Sequence, residues 1–160
     1  MSGDTLILGL GNVLLTDEAV AAAVLQALAE QTPPDPDLTL LDGGTLSFTL
    51  AGPIAAARQM IVVDAAAMGD PPGSVRLFEG ATMDAQLRRH ASSVHEVSLA
   101  DLIDIARLTD SLPARRALIG IEPGRVDWGD TLTPAVAAAV PTAVAMIQEL
   151  LARWRVAPAP

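Results

Sequence analysis

Acidic side chains follow three short apolar segments of this 160-residue chain, where they could bind a cation or transfer protons. Asp17 and Glu18 follow the first segment, Asp42 ends the second and Asp64 ends the third. If these segments are parallel strands, their carboxyl ends meet at one edge of a sheet and the four carboxylates converge there. A single acid after a strand more often caps a helix or accepts bonds from loop amides. A carboxylate that ends a buried strand, as Asp64 does, instead needs a charged or metallic partner.

Of the two histidines, His95 is the better candidate for chemistry. It precedes a predicted helix with Ser98 as its N-cap, and a neutral imidazole there could ligate a metal or act as a base, a solvated loop histidine being the alternative. His90 lies in a polar run and is expected in solvent. A set of Glu18, Asp64 and His95 would suit a divalent first-row ion such as nickel or zinc and leave coordination positions open. Because the chain contains no cysteine, any metal that it binds by itself is held through oxygen or nitrogen.

Strands and helices alternate in the predicted pattern, which indicates an α/β fold with a largely parallel sheet covered by helices on both faces. Strands are predicted at 5–10, 37–42, 59–64, 74–79 and 116–122, and helices at 17–31, 47–57, 98–110 and 133–153. The third and fourth strands are close enough in sequence for an antiparallel pair. Thr16 is expected to cap the first helix, and 80–97 is the least regular stretch. A single domain is predicted over 1–155, with a frayed tail at 156–160.

Composition restricts the partners of the protein. Nineteen Asp and Glu against ten basic residues give a net charge of −9, which disfavours nucleic acid and anionic membranes. The arginine pairs at 88–89 and 115–116 are expected on solvated faces. No uninterrupted apolar run approaches membrane-spanning length, and the first residues do not form a signal-peptide pattern. A cytoplasmic location is therefore expected.

Other functional motifs fit poorly. The Gly9-x-Gly11 pair lacks the third glycine of a dinucleotide-binding turn, since position 14 is Leu14, and acids occupy the place where a pyrophosphate would bind. The sequence contains no GxSxG, P-loop or HExxH motif. A nucleotide-binding α/β domain is thus disfavoured.

Several segments together resemble the nickel–iron hydrogenase maturation endopeptidases over nearly the whole chain. Residues 9–18 (GLGNVLLTDE) are similar to the family's GxGNxLxxDEGxG motif, with Ala19 and Ala21 where the family usually has glycines. Further segments resemble family motifs in the same order: 42–45 (DGGT), 62–65 (VVDA), 71–73 (PPG), 95–102 (HEVSLADL), 119–123 (IGIEP) and 132–136 (LTPAV). The last two are similar to the uptake-hydrogenase branch. No one motif is decisive, but their combination in this order is highly specific.

The resemblance implies a nickel-dependent endopeptidase that removes a C-terminal extension from the hydrogenase large-subunit precursor after nickel insertion. It implies Glu18, Asp64 and His95 as metal-contacting catalytic residues, with Asp42 as a supporting acid. Nickel would be borne by the substrate, whose soft thiolates hold it, and would serve as a recognition handle; cadmium or zinc are expected to substitute in vitro. Whether nickel also polarises the scissile carbonyl, or a carboxylate activates water, is left open.

The fold implied by the family is a three-layer α/β fold with a twisted, mostly parallel five-stranded sheet. The protein is expected to act as a monomer, with the large-subunit precursor as its partner. The alternative from another functional class is a non-catalytic nickel-binding or chaperone-like module that docks on a metalloprotein precursor. The same three residues would serve either function, and only cleavage separates the two.

Overall fold

The computed structural model describes residues 4–89 and 97–157, which form one five-stranded sheet with helices on both faces. The strands are β1 (Thr5–Leu10), β2 (Leu38–Gly44), β3 (Gln59–Ala65), β4 (Val75–Glu79) and β5 (Arg115–Ile121). The helices are α1 (Val20–Gln31), α2 (Ala51–Ala56), α3 (Ala81–Arg89), α4 (Leu99–Leu108) and α5 (Pro134–Val156). Short 3₁₀ turns, Thr16–Ala19 and Phe48–Leu50, directly precede α1 and α2.

The strands lie in the order β2-β1-β3-β5-β4, and only β4 is antiparallel to its neighbour. The third and fourth strands do not form the antiparallel pair that their spacing allows, because β4 pairs with β5 and β5 lies between β3 and β4. Burial gives the physical reason. The run Ala117–Ile121 of β5 is buried throughout, as a strand covered on both faces requires, whereas β4 buries only Phe78 and suits an edge.

Alternate residues of the central strand β3 face two separate parts of the core. Ile61 and Val63 pack with α1 and α5, whereas Met60 and Val62 pack with α2 and α4. All four side chains are fully buried, which explains the continuous apolar run in the sequence. The three-layer arrangement predicted from the sequence is confirmed.

Helix α5 has 23 residues and, in the described part of the chain, is the one helix long and apolar enough to cross a bilayer. The sequence has no uninterrupted apolar run of this length, so a helix able to cross a bilayer was not predicted. The larger apolar side chains of α5 other than Val156, among them Val144 and Ile147, are buried or half-buried in the core that α5 shares with α1. The helix runs through Val156, one residue into the predicted tail, and Arg115 donates a hydrogen bond to the carbonyl of Ala157. Residues 158–160 lie outside the described residues.

Helix α3 occupies a stretch that the sequence analysis expected to be irregular. Only three of its side chains are buried, and one of them is the charged Asp84, so its sequence shows a weak apolar periodicity. The carboxylate of Asp84 binds two arginines. Arg116 donates to it through Nε at 3.0 Å and Nη2 at 2.7 Å, and Arg107 Nη2 lies 2.9 Å away. Burial would raise the pKa of Asp84, but the bonds and charges of Arg116 and Arg107 outweigh it and lower that pKa. The expectation that Arg116 lies on a solvated face is therefore wrong.

The two predicted helix caps differ in outcome. Ser98 caps α4 as predicted, because its hydroxyl accepts from the amide of Asp101 and the Asp101 carboxylate accepts from the amide of Ser98. The cap predicted at Thr16 is wrong. Thr16 has a φ of +40° inside the 3₁₀ turn, and its hydroxyl donates to the carbonyl of Arg125 at 2.6 Å instead. A hydrogen bond to the loop after β5 thus takes the place of the predicted capping bond within the helix.

Candidate functional site

The candidate site is a cavity of about 600 Å³ at the carboxyl ends of β1 and β3. The helix that follows β1 packs on one face of the sheet, and α2, which leads into β3, packs on the other. The two connections therefore diverge between these neighbouring strands, and such a point opens a crevice where α/β proteins bind ligands. Glu18 enters the cavity from the turn after β1, and Asp64 enters it from the end of β3.

Glu18 and Asp64 are the only charged side chains among the described residues that line this cavity. The rest of the lining is mostly apolar side chains and loop residues: Leu10, Gly11, Asn12, Leu15, Gly44, Thr45, Leu46, Ser47, Phe48 and Val97. The carboxylates of Glu18 and Asp64 thus repel each other when both are ionised, and the described lining has no basic side chain to offset their charge. Such a pair can be relieved by a proton or by a cation.

Gly11 fixes the position of Glu18 relative to the sheet. Its φ is +140°, and a Cβ at this position would clash with the backbone carbonyl oxygen of Glu18. Only glycine allows so close an approach between the end of β1 and the turn that contains Glu18. The Asn12 side chain accepts from the amide of Leu14 at 2.9 Å, and the amide of Glu18 donates to the carbonyl of Leu15 at 3.0 Å. These short-range bonds shape the turn.

Asp17, the neighbour of Glu18, does not join the cavity. It is 0% exposed, and its carboxylate accepts four hydrogen bonds of 2.7–2.8 Å from the amides of Gly124 and Arg125 and from the amide and hydroxyl of Thr133. Burial would raise the pKa of Asp17, but these bonds outweigh it and the pKa is lowered. Asp17 therefore fastens the turn of Glu18 to the loop that follows β5.

Asp64 has an unusual protonation equilibrium for a carboxyl group. Burial at the strand end and the nearby charge of Glu18 raise its pKa to about 7, although the Ala65 amide donates a hydrogen bond that acts in the opposite direction. Near neutral pH, Asp64 is thus divided between acid and carboxylate. A group of this kind can give or take a proton under physiological conditions, or exchange its proton for a metal.

The structure brings two of the four predicted carboxylates together. Glu18 and Asp64 share the cavity, whereas Asp17 is turned into the protein. Asp42 is exposed, its Oδ1 accepts from the amide of Gly44 at 3.0 Å, and it is not part of the cavity lining. The supporting role of Asp42 stays a prediction. His95 lies outside the described residues; Val97, two positions later in the chain, lines the cavity.

Glu122 is a further buried acid that was not predicted as a separate functional residue. Its Oε1 accepts from the amides of Met68 at 2.7 Å and Asp70 at 3.0 Å, so it holds the loop that follows Asp64. The sequence signal was available, since Glu122 follows the apolar run 117–121 much as Asp64 follows the apolar run 60–63. Loop amides satisfy the carboxylate of Glu122, whereas Asp64 lines the cavity.

The arrangement can supply two oxygen ligands to a divalent cation, or an acid–base pair poised near neutral pH. In the ranges 4–89 and 97–157, no group of three acids, histidines or cysteines is placed to hold a metal ion. Among the described residues, the two carboxylates of the cavity are thus the oxygen ligands available to a cation.

The chain is similar to proteins of hydrogenase maturation. The family model described as hydrogenase maturation protease matches residues 22–150. The hydrogenase expression/formation protein HoxM of Cupriavidus necator is 32% identical over 96% of this chain and 76% of its own length. The hydrogenase 2 maturation protease of Escherichia coli is also 32% identical, over 94% of this chain and 90% of its own.

The fold agrees with this result. The solved structure of the hydrogenase maturating endopeptidase HybD from Escherichia coli superposes with a TM-score of 0.85 and 31% identity, covering 93% of this chain and 92% of that one. Both the resemblance and the fold class predicted from the sequence are thereby confirmed. The chain belongs to the hydrogenase maturation protease family and is a hydrolase.

Proposed function

We propose that this protein is an endopeptidase that removes the C-terminal extension of the nickel–iron hydrogenase large-subunit precursor once nickel has been inserted. The observation that supports this proposal most directly is the pair of Glu18 and Asp64 in one cavity at the sheet's switch point. The carboxylates of this cavity supply oxygen ligands but no thiolate. The names of the relatives support the substrate class.

Nickel is part of the substrate in this proposal. Thiolates of the precursor hold the ion, and Glu18, Asp64 and His95 bind its open positions. Only a nickel-loaded precursor therefore binds in the orientation that cleavage requires. Binding of the ion displaces the proton of Asp64, since a cation beside the two carboxylates removes the repulsion that raises its pKa. Asp42 supports the site from the neighbouring strand. Cadmium or zinc would occupy the same ligands in vitro.

The proposal is tested by incubating the protein with nickel-loaded and nickel-free precursor and following the precursor's mass. The loaded form should lose a C-terminal peptide, and the nickel-free form should stay intact. Glu18→Gln, Asp64→Asn and His95→Ala should each abolish cutting. Glu30→Gln and Asp37→Asn are matched controls, because both acids are exposed and lie outside the cavity lining; they should cut normally.

The chaperone-like alternative predicts a different result. The protein would bind the loaded precursor, and the precursor's mass would stay unchanged at every time point. Membership of a protease family favours cleavage. The cytoplasmic location, the monomeric state and the absence of nucleic-acid and membrane partners stay predictions.

A further inference from the structure

Exposed apolar side chains are concentrated at the edge of the sheet that contains the cavity. Seven large apolar side chains are exposed among the described residues, and five of them follow the carboxyl ends of β1, β2 and β5. We call these five the apolar rim: Val13, Leu14, Phe48, Val126 and Trp128. The other two, Leu108 and Val156, end helices α4 and α5. Isolated exposed side chains are ordinary, but a cluster beside a cavity indicates a binding surface.

The rim is continuous with the cavity. Leu15 forms a parallel bridge with Gly129, and the amide of Gly129 donates to the carbonyl of Leu14 at 2.9 Å. This bridge places Leu14 beside Trp128, one residue before the bridged pair on each segment. Leu15 lines the cavity itself, and Phe48 lines it from the opposite loop. The rim therefore adjoins the cavity at Leu15 and at Phe48.

The rim is held rigidly, which reduces the entropic cost of binding. Thr16 and Asp17 fasten its two segments together: the amide of Thr16 donates to Gly129, and the Thr16 hydroxyl accepts from the amide of Asp127. Trp128 is nonetheless 78% exposed. A bulky side chain on a fixed loop, without a partner in the described structure, suits an anchor for another molecule.

Charge restricts the chemistry of that molecule. Within the rim loop, Arg125 and Asp127 pair with each other at 2.9 Å, so they add no net charge beside Trp128. The cavity contributes Glu18 and Asp64, and the whole chain has a net charge of −9. An acidic segment would be repelled, whereas an apolar segment without acidic residues would gain from burial.

We propose that the apolar rim is the docking surface for an extended, apolar segment of the precursor that adjoins the scissile bond, with Leu14 and Trp128 as its anchors. This inference rests on the proposed function and adds to it. Glu18 and Asp64 recognise the metal centre, and the rim recognises the polypeptide. Selection of the correct precursor thereby depends on apolar side chains as well as on nickel.

The first test is kinetic. Leu14→Ser and Trp128→Ser should each raise KM for the nickel-loaded precursor about tenfold or more, as loss of an interface anchor does, and change kcat little. Leu108→Ser is the matched control, because Leu108 is 87% exposed at the far end of α4 and should leave both constants unchanged. Since all three side chains are exposed, circular dichroism should show native folds. Wild-type KM in both rim variants, or a fall in kcat alone, would overturn the docking assignment.

The second test does not depend on cleavage. The chain contains two tryptophans and no tyrosine, so labelling with 5-fluorotryptophan gives one fluorine resonance for Trp128 and one for Trp154, which is 7% exposed. In the wild-type protein, unlabelled loaded precursor should shift the Trp128 resonance before the precursor is cut and leave that of Trp154 in place. Trp128→Phe assigns the two signals.

The two tests separate the docking surface from the proposed function. A shifted Trp128 resonance without any cutting by the wild-type protein would support the rim and reject the peptidase. Normal cutting with an unmoved Trp128 resonance would reject the rim and support the peptidase. A dimer in sedimentation experiments that Trp128→Ser dissociates without affecting KM would assign the rim to a second copy of this chain and overturn the proposal.

Discussion

Replacement of Asp17 by asparagine should destabilise the protein strongly, although the two side chains have nearly the same shape. The carboxylate accepts one bond at Oδ1, from the amide of Thr133, and three at Oδ2, from the amides of Gly124 and Arg125 and the Thr133 hydroxyl. An asparagine can place its oxygen at only one of these positions. If it keeps the three-bonded position, its NH₂ group faces the Thr133 amide, and two donors oppose each other in a buried site.

The magnitude follows from these contacts. One hydrogen bond to a charged acceptor is lost, worth about 1.5–3 kcal/mol, and an unsatisfied buried donor adds about 1–3 kcal/mol. The free energy of unfolding should therefore fall by about 3–5 kcal/mol, against a total of about 5–15 kcal/mol for a typical domain. For a chain of this length the melting temperature should drop by about 10 °C.

The pH dependence of stability gives a second signature of Asp17. Its pKa is lower in the folded protein than the unperturbed value of 3.8, so the ionised group stabilises the fold above that value. This contribution disappears as the pH falls through the folded pKa. The Asp17→Asn variant lacks it, and the difference between the two proteins should shrink as the pH is lowered below about 4.

Urea unfolding followed by circular dichroism, at pH 7 and at pH 3, measures both effects. Asp127→Asn is the matched control, since its carboxylate lies on the same loop but is exposed and pairs only with Arg125 there, which is worth about 0–1 kcal/mol. An Asp17→Asn protein within about 1 kcal/mol of wild type at pH 7 would show that the four bonds do not hold the loop as argued.

Three further predictions concern the site and its support. Asp64→Asn should raise the melting temperature at pH 8 but not at pH 4. The raised pKa of Asp64 in the folded protein means that its ionisation costs stability as the pH increases from about 4 to about 7, and asparagine avoids this cost. Thermal melts of both proteins across this pH range measure the difference. Gly11→Ala should displace the backbone of Glu18 and abolish precursor cutting, while Gly52→Ala, in open space on α2, should keep full activity. Asp84→Asn should cost about 3–5 kcal/mol in urea unfolding, because it leaves two arginine side chains without their shared carboxylate.

The strands that form the site could be predicted from the sequence because their signal is local. Apolar runs bounded by turn residues located all five strands within two residues at either end, and Asp64 followed from the run Met60–Val63. The order of the strands in the sheet was harder to predict from the sequence. The pairing of β4 with β5 depends on the position of β5 beside β3, and the sequence of β4 alone does not contain that information.

Helix α3 was missed for a related reason. Its position depends on the ion pairs of Asp84 with Arg107 and Arg116, which are 23 and 32 residues away in the chain. Periodicity detects apolar stripes, and in α3 that stripe is limited to Met83 and Leu87. The same limit applies to the 3₁₀ turn at Thr16, where bonds to the loop after β5 replace the helix cap that its sequence favours.

The neighbouring acids Asp17 and Glu18 show why residue type and spacing did not determine the site. In the tight turn after β1, successive side chains diverge by roughly a third of a rotation, so two adjacent carboxylates cannot both face one cavity. Asp17 is directed into the protein, where loop amides satisfy it, and Glu18 is directed toward Asp64. Thr16, at φ +40°, is held in a conformation that a β-branched residue adopts only under constraint. The buried bonds of Thr16 and Asp17 oppose that strain, and the geometry of Glu18 is therefore maintained by residues that never contact the substrate.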